Sequence, residues 1–263
     1  MIGFIGGGNM AEALIRGLIK EGKKNILVSE VLDERRRYLE KCYGIRTTSS
    51  NKELVSQTEI IILAVKPQNI KEVLEEIKDT VTDKHTVVSI AAGIPINLIK
   101  NYLKTDKIIR AMPNLAAIVG ESMTVLALCD CLEMKIVAPV RDIFMSVGKV
   151  ITLPESYMNL VTAFSGSGPG FFCFILEKFI EVATQMGFTE DIASELLIQT
   201  FIGTAKLLDS GLPPEKIRQK VTSPGGTTEA GLKILSDDKF KELLHRTVSK
   251  ATERAKELSS QGD

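Results

Sequence analysis

Three consecutive glycines, Gly6, Gly7 and Gly8, follow the apolar run Ile2–Ile5 and lead into an amphipathic stretch. Gly6, Gly8 and Ala11 form a G-x-G-x-x-A pattern, and the strand–turn–helix context is that of dinucleotide-binding turns. Gly6 permits a tight turn, and Gly8 lets the backbone approach a diphosphate. The helix that follows would offer its first N–H groups to this anion, from residues that include Asn9 and Met10. A glycine-rich turn that binds no ligand is the alternative.

An acidic residue is expected roughly 20 positions after such a turn, where it binds the ribose 2′-hydroxyl. Glu30 occupies this place, and its carboxylate would repel a 2′-phosphate. The sequence therefore favours NAD slightly over NADP. Arg35, Arg36 and Arg37 follow closely and could bind a 2′-phosphate instead, although a solvated first helical turn explains at least two of them.

Other segments follow predicted strands, and in an open parallel sheet ligands bind beyond the carboxyl ends of the strands. Lys66 can also be a solvated loop lysine, and Asn114 a turn residue. The predicted cofactor contacts in these segments are Ala64, Val65, Lys66, Pro67, Ala92, Gly93, Met112, Pro113 and Asn114.

Two further glycine-rich segments, 165–170 (SGSGPG) and 222–228 (TSPGGTT), lie in a helical part of the chain. The second has hydroxyls, glycine amides and a following helix, which together can bind an anion such as a carboxylate. Ordinary helix capping by Thr227 or Thr228 is the alternative.

The elements that must position these residues change in type along the chain. Up to residue 154, short apolar strands alternate with amphipathic helices, which predicts a Rossmann-like, doubly wound parallel sheet. Residues 155–263 read as an all-helical domain. The predicted strands are 2–5, 25–29, 59–65, 86–91, 107–112, 123–128 and 150–153; the predicted helices are 9–21, 33–42, 67–79, 95–103, 132–147, one beginning near 169, one after Thr189, one at 213–214 and 237–259.

The composition argues against several classes of function. Lysine plus arginine and aspartate plus glutamate both number 33, which argues against a nucleic-acid binder. The cysteines and two histidines lack metal-ligand spacing, so we expect no metal site and buried free thiols at Cys42, Cys129, Cys131 and Cys173. We expect neither a signal peptide nor an apolar run of ~18 residues that would span a membrane, and hence a cytoplasmic protein.

Six motifs, in this order, resemble the pyrroline-5-carboxylate reductase family from end to end: FIGGGNMAEA (4–13), LAVKPQ (63–68), VVSIAAG (87–93), IIRAMPN (108–114), FSGSGPGFF (164–172) and VTSPGGTT (221–228). The resemblance implies NAD(P)H-dependent reduction of the cyclic imine 1-pyrroline-5-carboxylate to L-proline, the last step of proline biosynthesis. It also implies a helical C-terminal domain that forms a homodimer, and dimers that can assemble into rings.

The resemblance further assigns roles to residues. Asn51 would contact the adenosine half of the cofactor, and Lys66, Pro67, Ala92 and Asn114 would line the nicotinamide half. Thr228, and after it Ser167, would donate a hydrogen bond to the imine nitrogen. The residues expected to bind the substrate carboxylate, across the dimer interface, are Ser223, Gly225, Gly226, Thr227 and Thr228.

Three positions depart from the family pattern. Glu30 replaces a small polar residue common in NADPH-dependent members, Gln219 replaces a frequent acidic residue, and Gly170 replaces a common alanine. Two other functions compete with this one. A β-hydroxyacid dehydrogenase requires a lysine where this chain has Phe172, and a dinucleotide sensor would use the glycine turns without catalysis. The sequence leaves open the oligomer size, the cofactor preference and the acceptance of larger imines.

Overall fold

The computed structural model describes residues 1–103, 105–129 and 132–260. They form two compact units: Met1–Pro169 together with the residues from Lys250 on, and Gly170–Ser249. Residues 155–169 belong to the first unit because Met158 and Val161 are buried in a cluster with Val125 and Ala127. The domain boundary after residue 154 stays a prediction.

The first unit contains one eight-stranded sheet with the strand order β3-β2-β1-β4-β5-β6-β7-β8. Neighbouring strands are parallel except β6 and β7, so β7 and β8 run opposite to the other six. The mostly parallel sheet confirms the predicted fold class. The strands are β1 Ile2–Ile5, β2 Ile26–Ser29, β3 Arg46–Thr48, β4 Ile60–Leu63, β5 Thr86–Ser89, β6 Ile108–Met112, β7 Ser122–Leu128 and β8 Gly148–Thr152.

Helices cover both faces of the sheet, which makes the fold doubly wound. One hydrophobic cluster packs α1, α2 and α6 against the sheet, and a second packs α3, α4 and α5 against the other face. Strands buried on both faces read as continuous apolar runs, which is why the sequence reveals them. These helices are α1 Asn9–Lys20, α2 Asp33–Tyr43, α3 Asn51–Gln57, α4 Ile70–Ile77, α5 Ile96–Tyr102 and α6 Met134–Met145.

Among the strands and the helices that cover the sheet, the sequence patterns did not predict β3 and α3. β3 has only three residues, of which none is apolar, and it lies at the edge of the sheet. α3 does have a sequence signal: Ser50 and Glu53 form the S-x-x-E pattern of a capping box. The Ser50 hydroxyl accepts a hydrogen bond from the Glu53 N–H at 3.2 Å.

The remaining helices confirm the all-helical prediction for the later part of the chain. α9 begins after Thr189, as predicted, although the threonine hydroxyl makes no capping hydrogen bond. A π-helical turn, Thr162–Gly166, separates α7 from α8. The helices are α7 Met158–Val161, α8 Gly168–Gln185, α9 Glu190–Asp209, α10 Pro214–Val221, α11 Thr227–Leu235 and α12 Asp238–Ser260.

The second unit has almost no interior of its own. Ala193 is its one fully buried hydrophobic residue among those described, whereas many large apolar side chains are exposed, Met186 by 81%. One helical run, Glu155–Gln185, is long and apolar enough to cross a membrane by length and composition, with a mean hydropathy of 1.3, although core helices of soluble proteins pass this test as well. The expectation of no membrane span stays a prediction. Exposed apolar faces of this extent are typical of interaction surfaces.

Candidate cofactor and substrate site

The three glycines after β1 form a turn in which each has a different environment. Gly6 has φ +98°, and a Cβ there would lie 2.7 Å from the Ala64 carbonyl oxygen, in the loop after β4. Because the strand order reverses between β1 and β4, these loops meet at the topological switch point. Gly8 is exposed, and a Cβ there would meet no atom within 4 Å. The turn is thus closed behind Gly6 and open in front of Gly8.

Backbone donors are available at this opening. Gly8 is the N-cap of α1, and because it has no side chain it cannot cap the first amides of the helix. Within the described ranges, the N–H groups of Gly8, Asn9 and Met10 have no protein acceptor. The helix dipole adds positive potential at the same place. The structure therefore brings together unpaired amides, a helix N-terminus and open space at one place.

Glu30 follows β2 and contacts the glycine turn directly. Its Oε2 accepts a hydrogen bond from the Gly7 N–H at 2.9 Å, and its Oε1 accepts one from the Leu32 N–H at 3.0 Å. The carboxylate is thus held beside the turn, at the position of the ribose-binding acid in dinucleotide-binding folds.

The three arginines of α2 are engaged with protein acceptors. Arg35 pairs with Glu12. Arg36 lies 3.0 Å from Asp33 and also donates to the Glu30 carbonyl oxygen at 2.6 Å. Arg37 pairs with Asp33 at 2.7 Å. The interpretation as a freely solvated helical turn is therefore incomplete, because each guanidinium has a carboxylate partner.

Asn51 is the first residue of α3 and lies beside the end of β2. Its Oδ1 accepts from the Ser29 hydroxyl at 2.6 Å, and its Nδ2 donates to Glu76 at 2.6 Å. These bonds hold the amide beside the end of β2. Its contact with the cofactor stays a prediction.

The loops after β4 and β5 differ in accessibility. Lys66 is exposed, and its ammonium has no hydrogen-bond or ion-pair partner among the described residues; Pro67 begins a 3₁₀ turn, Pro67–Asn69. Ala64 and Val65 are half-buried.

Beyond β5, Ala92 is half-buried, whereas Gly93 is fully buried and has φ +77°. A Cβ at Gly93 would lie 3.0 Å from Cβ of Leu258, in the last turns of α12. Gly93 therefore also serves packing, a role that no local sequence pattern indicates because the two residues are far apart in the chain.

Asn114 connects the end of β6 to the SGSG segment. Its Oδ1 caps the 3₁₀ turn Leu115–Val119 by accepting from the Ala116 N–H at 3.2 Å, which agrees with its interpretation as a turn residue. Its Nδ2 donates to the Ser165 hydroxyl at 3.3 Å. Met112, Pro113 and Asn114 therefore lie beside this segment, and a Cβ on Gly166 would be 2.7 Å from the Met112 Cε.

Ser167 is the C-cap of the π-helical turn, a rare conformation that occurs frequently at functional sites. Its hydroxyl donates to the Thr162 carbonyl oxygen at 3.2 Å. The hydroxyl can accept a further hydrogen bond but must leave Thr162 to donate one elsewhere.

Sequence reasoning did not single out Arg110 and Glu155. Arg110, on β6, is 96% buried, and Glu155 contacts it at 3.3 Å while accepting from the Ile96 N–H at 2.8 Å. Burial lowers the pKa of Arg110, and Glu155 opposes this shift. The carboxylate thereby ties β6 to the first turn of α5. Only a long-range contact reveals the pair.

In the second unit, residues 223–228 form a turn before α11. The Gly226 N–H donates to the Ser223 carbonyl oxygen at 3.0 Å, and Gly225 has φ +73°. The N-cap of α11 is Gly226 and not a threonine, so the capping interpretation of Thr227 and Thr228 was wrong. Their hydroxyls and that of Ser223 have no hydrogen-bond partner within the described chain. The turn is therefore equipped to bind an anion.

Two polar side chains, Glu229 and Gln219, lie in or near this turn. The Glu229 carboxylate accepts from the Gly225 N–H at 2.9 Å, so one amide of the turn is already occupied. Gln219 is bonded to Glu215 and Lys216 of its own helix. A Cβ on Gly170 would meet no atom within 4 Å, which agrees with a mild effect of that departure.

Cysteines and metals were also part of the sequence expectations. Cys42 and Cys173 are free but exposed, so the expected burial was wrong for both; Cys129 is half-buried, and Cys131 lies outside the described residues. No group of three or more potential metal ligands occurs in the part of the chain that the structure describes.

Phe172, where a β-hydroxyacid dehydrogenase needs lysine, is exposed and packs against Phe201 at 6.4 Å between ring centroids.

Comparison with known proteins agrees with this geometry. Residues 155–258 match the family model for pyrroline-5-carboxylate reductase dimerisation, and residues 1–93 match that for NADP oxidoreductase coenzyme F420-dependent. The match to the dimerisation model establishes that the chain forms an oligomer. The mostly parallel sheet with its glycine turn and the second match together establish a nicotinamide dinucleotide as cofactor.

Relatives extend the similarity over the whole chain. The chain is 38% identical to a pyrroline-5-carboxylate reductase from Synechocystis sp., over 98% of this chain and 97% of the relative. The corresponding enzyme from Methanosarcina acetivorans is 37% identical, with 98% and 97% covered. The structure of a pyrroline-5-carboxylate reductase from Coxiella burnetii superposes with a TM-score of 0.93 at 37% identity, over 98% of both chains. That of Plasmodium falciparum pyrroline carboxylate reductase with NADP bound superposes with a TM-score of 0.84 at 28% identity, over 98% and 97%. Since the identity extends over nearly the full length of both partners, this chain belongs to the pyrroline-5-carboxylate reductase family.

Proposed function

We propose that this chain reduces the cyclic imine of 1-pyrroline-5-carboxylate to L-proline, with NADH as the preferred hydride donor. The observation that carries the proposal is the turn after β1, where the N–H groups of Gly8, Asn9 and Met10 are unpaired within the described chain and no atom blocks the space in front of Gly8. Family membership supports the substrate.

The cofactor fits the residues along the sheet edge. The turn Gly6–Gly8 with Asn9 and Met10 would hold the diphosphate, and Glu30 and Asn51 the adenosine half. When bound, the nicotinamide supplies the hydride. The residues that would line its half of the site are Ala64, Val65, Lys66, Pro67, Ala92, Gly93, Met112, Pro113 and Asn114.

The preference for NADH follows from charge at the ribose. Glu30 is held beside the turn by the Gly7 and Leu32 amides, and its carboxylate would repel a 2′-phosphate. A relative has been solved with NADP bound, so the proposed preference rests on Glu30 of this chain and not on the fold.

The substrate carboxylate would bind the turn before α11. The hydroxyls of Ser223, Thr227 and Thr228 and the first amides of α11 are unpaired within the described chain, and an anion at a helix N-terminus is stabilised by both. Gly225 and Gly226 keep the backbone accessible. In a homodimer this turn is contributed across the interface.

Catalysis asks little of side chains. A protonated imine is already electrophilic, so the chain mainly has to align its carbon with the hydride donor, which is a positioning effect. Thr228 is the first candidate for a hydrogen bond to the ring nitrogen, because its hydroxyl is unpaired among the described residues. Ser167 is second, because its hydroxyl already donates to Thr162.

We further propose a cytoplasmic homodimer that can build a ring of dimers, without a membrane or nucleic-acid partner. The exposed apolar faces of the second unit, including Phe174, Phe179 and Val182, would be buried between subunits and not in lipid. The mass in solution, measured by light scattering at several concentrations, would distinguish a dimer from a larger ring.

One assay tests the function. The purified protein should oxidise NADH when 1-pyrroline-5-carboxylate is added, with stoichiometric formation of proline measured by chromatography. If NADH binds but the imine drives no oxidation, the chain is a dinucleotide-binding protein without this activity, and the proposal is wrong. Larger cyclic imines in the same assay define the substrate range.

A further inference from the structure

Glu12, in the first turn of α1, connects that helix to α2. One carboxylate oxygen pairs with the Arg35 guanidinium. The other accepts hydrogen bonds from the hydroxyls of Tyr43 at 2.6 Å and Tyr38 at 3.0 Å. Both oxygens of Glu12 are therefore used to hold residues of α2.

Glu12 is ionised at neutral pH. Burial opposes ionisation, but the hydrogen bonds from Tyr43, Arg35 and Tyr38 outweigh it and lower the pKa of the carboxyl group. Burial, and after it the hydrogen bond to Glu12, raises the pKa of Tyr43. The Glu12–Arg35 contact is thus a pair of full charges.

Arg35 also contacts the glycine turn. Its Nε donates to the Gly7 carbonyl oxygen at 2.6 Å, and its guanidinium lies 4.9 Å from the ring centroid of Tyr38. Glu30 binds the N–H group of the same glycine. Arg35 and Glu30 therefore flank Gly7, and Arg35 is the arginine of the 35–37 run that contacts the turn itself.

From these contacts we infer that Glu12 is a specificity-determining residue, which keeps Arg35 from binding the 2′-phosphate of NADPH. The inference rests on the proposed NADH preference and adds a second determinant to Glu30. An arginine near the ribose accommodates a 2′-phosphate when its guanidinium is free to form paired hydrogen bonds. Here one edge of the Arg35 guanidinium pairs with the Glu12 carboxylate, and its Nε donates to the Gly7 carbonyl oxygen.

Two consequences follow for an incoming phosphate. It would have to displace Glu12 from Arg35, and it would meet two carboxylates, Glu12 and Glu30, near one arginine. Removing the charge of Glu12 frees Arg35 while its bond to Gly7 remains possible. The chain would then present an arginine next to the ribose, as NADP-dependent proteins do.

The test compares kcat/KM for NADPH and NADH. Glu12→Gln retains the length of the side chain and can still accept from Tyr43, and it should raise the NADPH-to-NADH ratio about tenfold, the scale of one charge-assisted contact. In the double variant with Arg35→Gln the gain should disappear. Tyr43→Phe alters the same cluster but leaves the Glu12–Arg35 pair, so its ratio should stay at the wild-type value.

Binding of adenosine 2′,5′-bisphosphate, measured by calorimetry against AMP, gives an independent readout and should improve with Glu12→Gln for the bisphosphate only. Glu12→Ala, which removes the carboxylate altogether, replaces the glutamine variant if that variant does not fold, and it too should raise the ratio.

An unchanged ratio in Glu12→Gln, or a gain that survives the loss of Arg35, overturns the role of Glu12. In either case a wild-type preference for NADH would leave the proposed function intact. A wild-type preference for NADPH overturns both the role of Glu12 and the proposed preference for NADH. The measurement on the wild type identifies this case before any variant is made.

Discussion

The side-chain amide of Asn114 donates a hydrogen bond to the hydroxyl of Ser165 at 3.3 Å, across 51 positions of the chain. It joins the end of β6, on the proposed nicotinamide side, to the π-helical turn that ends at Gly166. The Ser165 hydroxyl lies 3.4 Å from the Met123 carbonyl oxygen of β7, to which it donates. The sheet edge therefore holds the segment that presents Ser167.

Asn114→Asp separates the two roles of this residue. Aspartate can still accept from the Ala116 N–H and cap the 3₁₀ turn, but it cannot donate to Ser165. We expect kcat/KM for the imine to fall about 3- to 10-fold, since one hydrogen bond contributes ~0.5–1.5 kcal/mol, with little change in Tm. Ser165→Ala should have a similar effect, and the double variant no larger one. Fully additive losses would show that the two residues act independently.

Gly8 and Gly6 should respond differently to a methyl group. Gly8→Ala meets no protein atom and has φ −69°, so Tm should not change, whereas KM for NADH should rise at least tenfold, or ~1.4 kcal/mol. Gly6→Ala must adopt φ +98° and approach a backbone carbonyl, so it should lose ~1–2 kcal/mol or more of unfolding free energy. If KM is unchanged in Gly8→Ala, the dinucleotide does not bind at this turn.

Glu30→Ser removes the charge beside the glycine turn. We expect the ratio of kcat/KM for NADPH to that for NADH to rise about tenfold or more, because a repulsive carboxylate is lost near the 2′-position. Glu30→Gln, which retains the side-chain length, tests whether charge or size is responsible. A cofactor ratio equal to that of the wild type in both variants would contradict our interpretation of Glu30.

Thr228→Ala removes the hydroxyl proposed to bond the ring nitrogen. Steady-state kinetics should show kcat/KM for the imine reduced by about 10-fold, whereas KM for NADH should not change, since the cofactor would bind in the other unit. Thr228→Ser retains the hydroxyl and should keep most of the activity. Wild-type kinetics in the alanine variant would exclude this role for Thr228.

The stability difference between wild type and Glu12→Gln should depend on pH. The folded-state pKa of Glu12 lies below the ordinary value of 4.5, so the ionised carboxylate stabilises the fold fully above about that pH. Its contribution is lost as the pH falls through the folded-state pKa. Urea unfolding at about pH 7 should therefore separate the two proteins, and the difference should shrink as the pH is lowered below 4.5. A constant difference would mean that the charge of Glu12 does not contribute.

Much of the fold follows from local patterns. β4 is a continuous apolar run because helices cover both faces of the sheet. The glycine turn shows its strand–turn–helix context within a dozen residues. β3 escapes such patterns because a three-residue edge strand buries too little to need apolar residues. α3 was not predicted although Ser50 and Glu53 carry its start signal.

The alternation of apolar strands with amphipathic helices was sufficient to predict the fold class, and the order of the glycine-rich motifs was sufficient to predict the family. Both are local properties of the chain. The pairing of Arg35 with Glu12, the burial of Arg110 beside Glu155 and the packing of Leu258 on Gly93 were decided by the tertiary structure. Each depends on residues that lie 23 or more positions apart, and such contacts exist only once the sheet has assembled and brought its loops to one edge.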